Sequence, residues 1–229
     1  MIKSLAPIAL AAAVLLGGCA TPVSQADRAS IKTVAVVTDV PPEIKFHSAG
    51  VLPVIQQEHS RQTEALNVAA TAEAVVARVL TAKGYAVKPM GGDFRAVAMQ
   101  LIKDRFSENK LASLTPFSKD VDAVVFIVAQ RNQGVYGGET GFGGIEVVPS
   151  KILGLESMLI GCNTGLFVYT TAAPRRIGAD EAAGSVREVR GVTWKETWDE
   201  LSPADQQKIV ADLTAAIEAA LKPKIEKLL

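Results

Sequence analysis

Residues 121–130 read Val-Asp-Ala-Val-Val-Phe-Ile-Val-Ala-Gln, and this stretch decides the fold. Its β-branched and aromatic residues fill both alternating sets of positions, so the strand they form must be covered on both faces. Residues 31–40, Ile-Lys-Thr-Val-Ala-Val-Val-Thr-Asp-Val, have the same character and stop at Pro41-Pro42. Residues 62–83, between the two, place Leu66, Ala69, Ala70, Val76, Val79 and Leu80 at helical spacing, with Gly84 as the stop. A short strand is expected at 85–88, closed by Pro89 and the Gly91-Gly92 pair. Asp93 is then expected to cap a second helix carrying Phe94, Val97, Ala98, Leu101, Ile102 and Phe106. Strand, helix, strand, helix, strand predicts an α/β fold: a single three-layer domain with a mixed, mainly parallel central sheet flanked by helices.

The second half has a different texture. Residues 132–144 hold Gly134, Gly137, Gly138, Gly141, Gly143 and Gly144, too many to pack regularly, and predict a mobile surface loop. Residues 157–171 read as a strand, kinked or bulged near Gly161 and Gly165, with 186–195 as its neighbour and 172–185 as a long polar connection. The last helix is the best capped. Ser202 is its cap, Pro203 and Asp205 lie in its first turn, and Ile209, Val210, Leu213, Ile217, Ala220 and Leu221 share one face. Pro223 is expected to end or kink it. Residues 47–62 have mixed polarity and read as irregular, with His47 and His59 as exposed loop residues.

The N-terminus reads as an address. Lys3 precedes an apolar run from Leu5 to Leu16, and small residues follow, which is the three-part pattern of a secretory signal. Leu16-Gly17-Gly18-Cys19 resembles the bacterial lipobox, in which small residues let an extended backbone reach the peptidase and the cysteine becomes lipidated. The expected organisation is a lipoprotein signal peptide over 1–18, the lipidated Cys19 and a polar tether over 19–30, and one periplasmic domain over 31–229. Ala20 after the cysteine, in place of the aspartate of an inner-membrane retention signal, points to the outer membrane facing the periplasm. Elsewhere no run of about 18 apolar residues predicts a membrane span.

Of 229 residues, 24 are Lys or Arg and 24 Asp or Glu, so the basic surplus that binds phosphate backbones is missing and a nucleic-acid partner is not expected. With Cys19 lipidated, Cys162 has no partner for an intramolecular disulfide, and its apolar context predicts a buried thiol. Two histidines twelve positions apart fit no zinc motif, and Gly154-Leu155-Glu156-Ser157-Met158 is not a nucleophile elbow. No metal, cofactor or catalytic set is expected. The glycine-rich loop lacks the Gly-Lys-Ser/Thr ending of a phosphate loop. It reads either as a partner-contacting loop with Tyr136 and Phe142 as aromatic anchors or as an insertion without a partner. Arg175, Arg176, Arg187 and Arg190 read either as a basic patch for anionic cell-wall or lipid groups or, with Asp180, Glu181 and Glu188 close by, as a solvated mixed surface, and the acidic neighbours favour the second. Trp194 and Trp198 are expected to close the core beneath the last helix.

A lipobox followed by one α/β domain, with strands like those at 31–40 and 121–130 and a C-terminal helix, resembles the periplasmic lipoproteins related to the curli-secretion lipoprotein and the penicillin-binding-protein activator lipoprotein. The resemblance implies a non-catalytic module, anchored to the membrane through lipid, that docks on an envelope protein partner or self-assembles. The chain lacks the alternating amphipathic segments that membrane hairpins need, so no pore is expected. The competing class is a cell-wall hydrolase with a site built from carboxylates such as Glu139, Glu146 and Glu156.

Overall fold

The computed structural model describes residues 20–48, 61–130, 132–133, 139–140, 144–150, 155–181, 185–192, 195 and 198–229. The doubly apolar stretch forms strand β6 (Ala123–Ala129) at the centre of a six-stranded sheet. Ala123, Val125 and Ile127 enter one buried cluster and Val124 and Phe126 another, so the expected covering of both faces is met. Strand β2 (Thr33–Thr38) lies parallel to β6 on one side and parallel to the short β5 (Ala86–Val87) on the other. On the other side of β6 come β11 (Thr164–Thr170), β12 (Arg176–Asp180) and β1 (Ala20–Thr21), each antiparallel to its neighbour. The sheet is therefore mixed and mostly antiparallel, which corrects the mainly parallel expectation. The physical reason is the short connection at 171–175 between β11 and β12, which can join only antiparallel partners.

Five helices accompany the sheets among the described residues. Helix α1 (Gln25–Ser30) is a single short turn, and α2 (Val68–Ala82) starts at Asn67, whose side chain accepts from the Ala70 N–H at 2.8 Å. It stops where Gly84 takes φ +92°, a left-handed value that a side chain would strain. Helix α3 (Gly92–Lys103) is capped by Gly91, with Asp93 in its first turn beside the positive dipole end and not at the cap position. The four-residue α4 (Glu108–Leu111) leads into a 3-10 turn over 112–117. Helix α5 (Pro203–Leu228) is capped by the Ser202 hydroxyl as expected, but it continues past Pro223 to Leu228. Helices α2 and α5 pack on each other and fill one face of the six-stranded sheet, while α3 fills the other.

A second sheet was not expected. It runs β13 (Ser185–Val189), β10 (Leu155–Cys162), β9 (Gly144–Ser150), β3 (Ile44–Ser48), β4 (Arg61–Thr63), with only β3 and β9 parallel. The run read as one kinked strand is thus two strands in different sheets, parted at Asn163. Met158, Ile160 and Cys162 of β10 join the cluster under α5, and the Cys162 thiol is fully buried. His47 lies in β3 and not in a loop, and His59 is outside the described residues. Within the glycine-rich stretch, β7 (Asn132–Gln133) and β8 (Glu139–Thr140) pair as a separate ribbon.

The segment expected as a tether is built into the body. Ala20 pairs with Asp180, Thr21 with Ala179, and Val23 is buried. The Val23 N–H donates to the Leu228 carbonyl at 3.0 Å, and the Arg28 Nε donates to the Val23 carbonyl at 2.9 Å. Gly178 permits this: a Cβ there would stand 2.7 Å from the Val23 methyl.

Candidate functional site

Beyond α3 the chain turns on two successive residues in the left-handed region, Arg105 at φ +50° and Phe106 at φ +54°. Neither is glycine, so each conformation is held against a cost of about 1–3 kcal/mol. Two backbone bonds close the turn, from the Arg105 N–H to the Ile102 carbonyl at 3.0 Å and from the Phe106 N–H to the Leu101 carbonyl at 2.8 Å. The larger compensation is packing. The Phe106 ring stacks on Tyr169 at 4.9 Å and 18°, meets Phe126 edge-on at 5.0 Å, and lies 5.3 Å from Phe167. Aromatic pairs in these arrangements each contribute about 0.5–1.5 kcal/mol beyond burial.

Phe106, Phe167 and Tyr169 of this cluster floor a groove of about 940 Å³, whose apolar lining also includes Ile102, Leu111 and Val128. Arg105, Arg175 and Arg176 stand at its polar boundary together with Glu108 and Glu181. The Arg175 guanidinium pairs with Asp27 of α1, and Arg176 lies 3.9 Å from Glu181. The turn carrying Arg175 is held by its own N–H donating to the Thr170 hydroxyl at 3.2 Å, while that hydroxyl donates to the Ala173 carbonyl at 2.6 Å. Burial pushes the Tyr169 phenol above its ordinary pKa and keeps it neutral. Among the described residues the lining contains aromatic, aliphatic, guanidinium and carboxylate groups and no cysteine, histidine or serine. Such a surface can bind an amphiphile through stacking and charge.

Behind the groove, β12 ends in a buried carboxylate, Asp180, 3% exposed, which faces Lys224 of α5, 7% exposed. The Lys224 ammonium donates to the Thr164 carbonyl. Burial lowers the Lys224 pKa and the Asp180 charge opposes that shift. A smaller hollow of about 330 Å³ lies beside β2, near the two bonds that Arg95 donates to the Glu73 carboxylate at 2.9 and 2.7 Å.

The lipobox residues Leu16, Gly17, Gly18 and Cys19 and the loop aromatics Tyr136 and Phe142 lie outside the described residues, as does Trp194. Trp198 packs part-buried against the core under α5. Glu139, Glu146 and Glu156 fall on β8, β9 and β10. The β9–β10 register sets Glu146 opposite Leu159 and Glu156 opposite Pro149. Among the described residues no group of three or more His, Cys, Asp or Glu could hold a metal ion. Sequence reasoning missed the groove. Arg175 and Arg176 were visible as a mixed-charge patch, and their pairs with Asp27 and Glu181 fit that expectation. The turn at Arg105 and Phe106 gave no signal, because Phe106 continues the helical period of α3.

No protein-family model matches the chain, and no curated protein matches it. Two solved structures are similar to it at a low level. Lipoprotein GNA1162 from Neisseria meningitidis is 13% identical over 82% of this chain and 99% of its own, with a TM-score of 0.33. The hypothetical protein CT253 from Chlamydia trachomatis is 12% identical over the same shares, with a TM-score of 0.36.

Proposed function

We propose that this chain is a bacterial lipoprotein, acylated at Cys19 after removal of residues 1–18, that carries a non-catalytic binding module on the periplasmic face of the outer membrane and serves an envelope assembly. The observation that carries the reading is the sequence itself: an apolar run from Leu5 to Leu16 that ends in Leu16-Gly17-Gly18-Cys19. A cysteine placed directly after the small residues that close such a run is what acylation requires. Among the described residues no helix is long and apolar enough to cross a membrane. Several acyl chains, at about 0.8 kcal/mol per buried methylene, make lipid attachment stable.

Cys19→Ser tests the anchor. The thioether cannot form without the thiol, so the variant is expected in the soluble fraction while wild type sediments with outer membrane and yields an acylated N-terminal peptide by mass spectrometry. Retention of Cys19→Ser in washed outer membrane refutes the anchor. For the module, cross-linking of wild type in intact cells is expected to yield a defined envelope partner. Cross-linking that yields no defined partner refutes the binding module.

A further inference from the structure

We propose that the arginine-rimmed groove is a membrane-facing site for the headgroup of a zwitterionic phospholipid, with the phosphate on the guanidinium groups and the ammonium on the carboxylates. The inference rests on the lipid-anchored reading and adds the ligand class. Three observations lead to it.

The first is where the anchored end enters the body. Strand β1 pairs on the outer edge of β12, with Ala20 opposite Asp180 and Thr21 opposite Ala179. In this antiparallel ladder the next position beyond Asp180 is Glu181, a groove residue. Consecutive Cα atoms are about 3.8 Å apart, so a lipid carried on residue 19 leaves the body within one residue of the groove rim. The segment that follows is tied to the same rim by the Asp27–Arg175 ion pair. A lipid on residue 19 is one Cα step from a residue paired to β12, which brings the Glu181 end of the groove toward the lipid headgroups.

The second is the rim's charge. It carries the guanidinium groups of Arg105, Arg175 and Arg176, with the carboxylates of Glu108 and Glu181 on the same rim and Asp27 behind Arg175. Each sign is balanced by the other. A purely anionic ligand meets two carboxylates there, whereas a headgroup carrying both signs meets a partner for each. Guanidinium is suited to phosphate because its planar fork gives paired donors.

The third is the floor. Phe106, Phe167, Tyr169, Ile102, Leu111 and Val128 form an apolar base under the charged rim. That order, charge outside and hydrocarbon within, matches a phospholipid headgroup followed by the start of its acyl chains. Two non-glycine residues held left-handed keep Phe106 on this floor.

The test uses full-length protein purified in a non-phospholipid detergent and titrated calorimetrically with dihexanoyl phosphatidylethanolamine, dihexanoyl phosphatidylglycerol or inorganic phosphate. Phosphatidylethanolamine is expected to bind saturably and at least about tenfold more tightly than the other two. Changing Arg105 and Arg176 together to Gln should weaken it by about tenfold or more at an unchanged melting temperature. Changing Glu108 and Glu181 together to Gln should erase its advantage over phosphatidylglycerol. Arg187→Gln, outside the groove, should bind as wild type. Absence of saturable binding, undiminished binding by the arginine variant, or equal binding of inorganic phosphate overturns the proposal. The N-terminal mass of the same sample separates the two readings: an acylated protein that binds no phospholipid refutes the groove alone, and an unacylated protein with arginine-dependent binding refutes the anchor alone.

Discussion

Asp122 stands where β2 and β6 begin side by side, and its carboxylate accepts from the Lys32 N–H at 2.9 Å, the Thr33 N–H at 2.8 Å and the Thr33 hydroxyl at 2.8 Å. Burial alone would raise its pKa, but these bonds hold it below the ordinary aspartate value. A depressed carboxyl pKa gives stability that is complete above the unfolded value and is lost as pH falls through the folded one. Asp122→Asn is therefore expected to cost about 1–3 kcal/mol at neutral pH and to make unfolding below about pH 4 less pH-dependent than in wild type. Urea unfolding at pH 7 and pH 3 checks both. A cost equal at the two pH values would mean that the carboxylate's charge contributes nothing there. The residue was quoted in the sequence as part of the strand, yet its role was not legible, since its partners lie about ninety positions away in the chain. The same holds for Lys224 and Asp180. Each looks like ordinary surface charge until folding brings helix end and strand end together under Thr164.

Elements with a strong period were legible, and those with broken periods were not. Strands β2 and β6, helices α2 and α3, and the capped α5 follow from apolar spacing and end signals. Strand β12 was read as a polar connection because Arg176, Gly178 and Asp180 interrupt its pattern, although Ile177 through Asp180 are buried. Gly178 is small to admit Val23, and Asp180 faces Lys224, so the interruptions are tertiary features with no local meaning. Strand direction was misread for a similar reason. Alternation reports burial of faces but says nothing of which way the neighbour runs. The stripe on α5, legible in the sequence as one apolar face, is core. Ile209, Leu213, Ile217 and Leu221 are all fully buried, and the helix covers β10, β12 and β13 as well as α2. Leu213→Ala is thus expected to cost about 2–5 kcal/mol through lost transfer energy and the cavity left behind. The variant should keep the wild-type oligomeric state. Chemical denaturation and sedimentation on the same samples check this, and a smaller assembly at unchanged stability would assign the stripe to an interface.

At the scale of the whole molecule, the decisive feature is that residues 20–31 and the last turn of α5 meet. Val23 and Arg28 bond to the last turn of α5, Asp27 reaches the groove rim, and Ile31 is buried at the entrance to β2. The sequence hid this, because residues 21–30 are mostly polar and carry only Val23 as an apolar contact, the composition of a linker. The distinction matters for function. A free tether would let the body reach away from the membrane, whereas an edge strand fixes which surface faces it. The two descriptions differ in stability. Burying a valine contributes about 1.5–3 kcal/mol, and the backbone pairs and the Arg28 bonds add to that. Two soluble forms of the protein, one beginning at Ala20 and one at Ile31, should therefore melt apart. The longer form is expected to match the melting temperature of Cys19→Ser, and the shorter to fall by roughly 4–8 °C for a loss of about 2 kcal/mol in a protein of this size. The shorter form should also lose amide protection in β12, whose outer edge β1 covers, while β6 keeps its own. Equal melting temperatures with unchanged protection would return residues 20–30 to the role of a tether, and the groove would then have no fixed distance from the membrane.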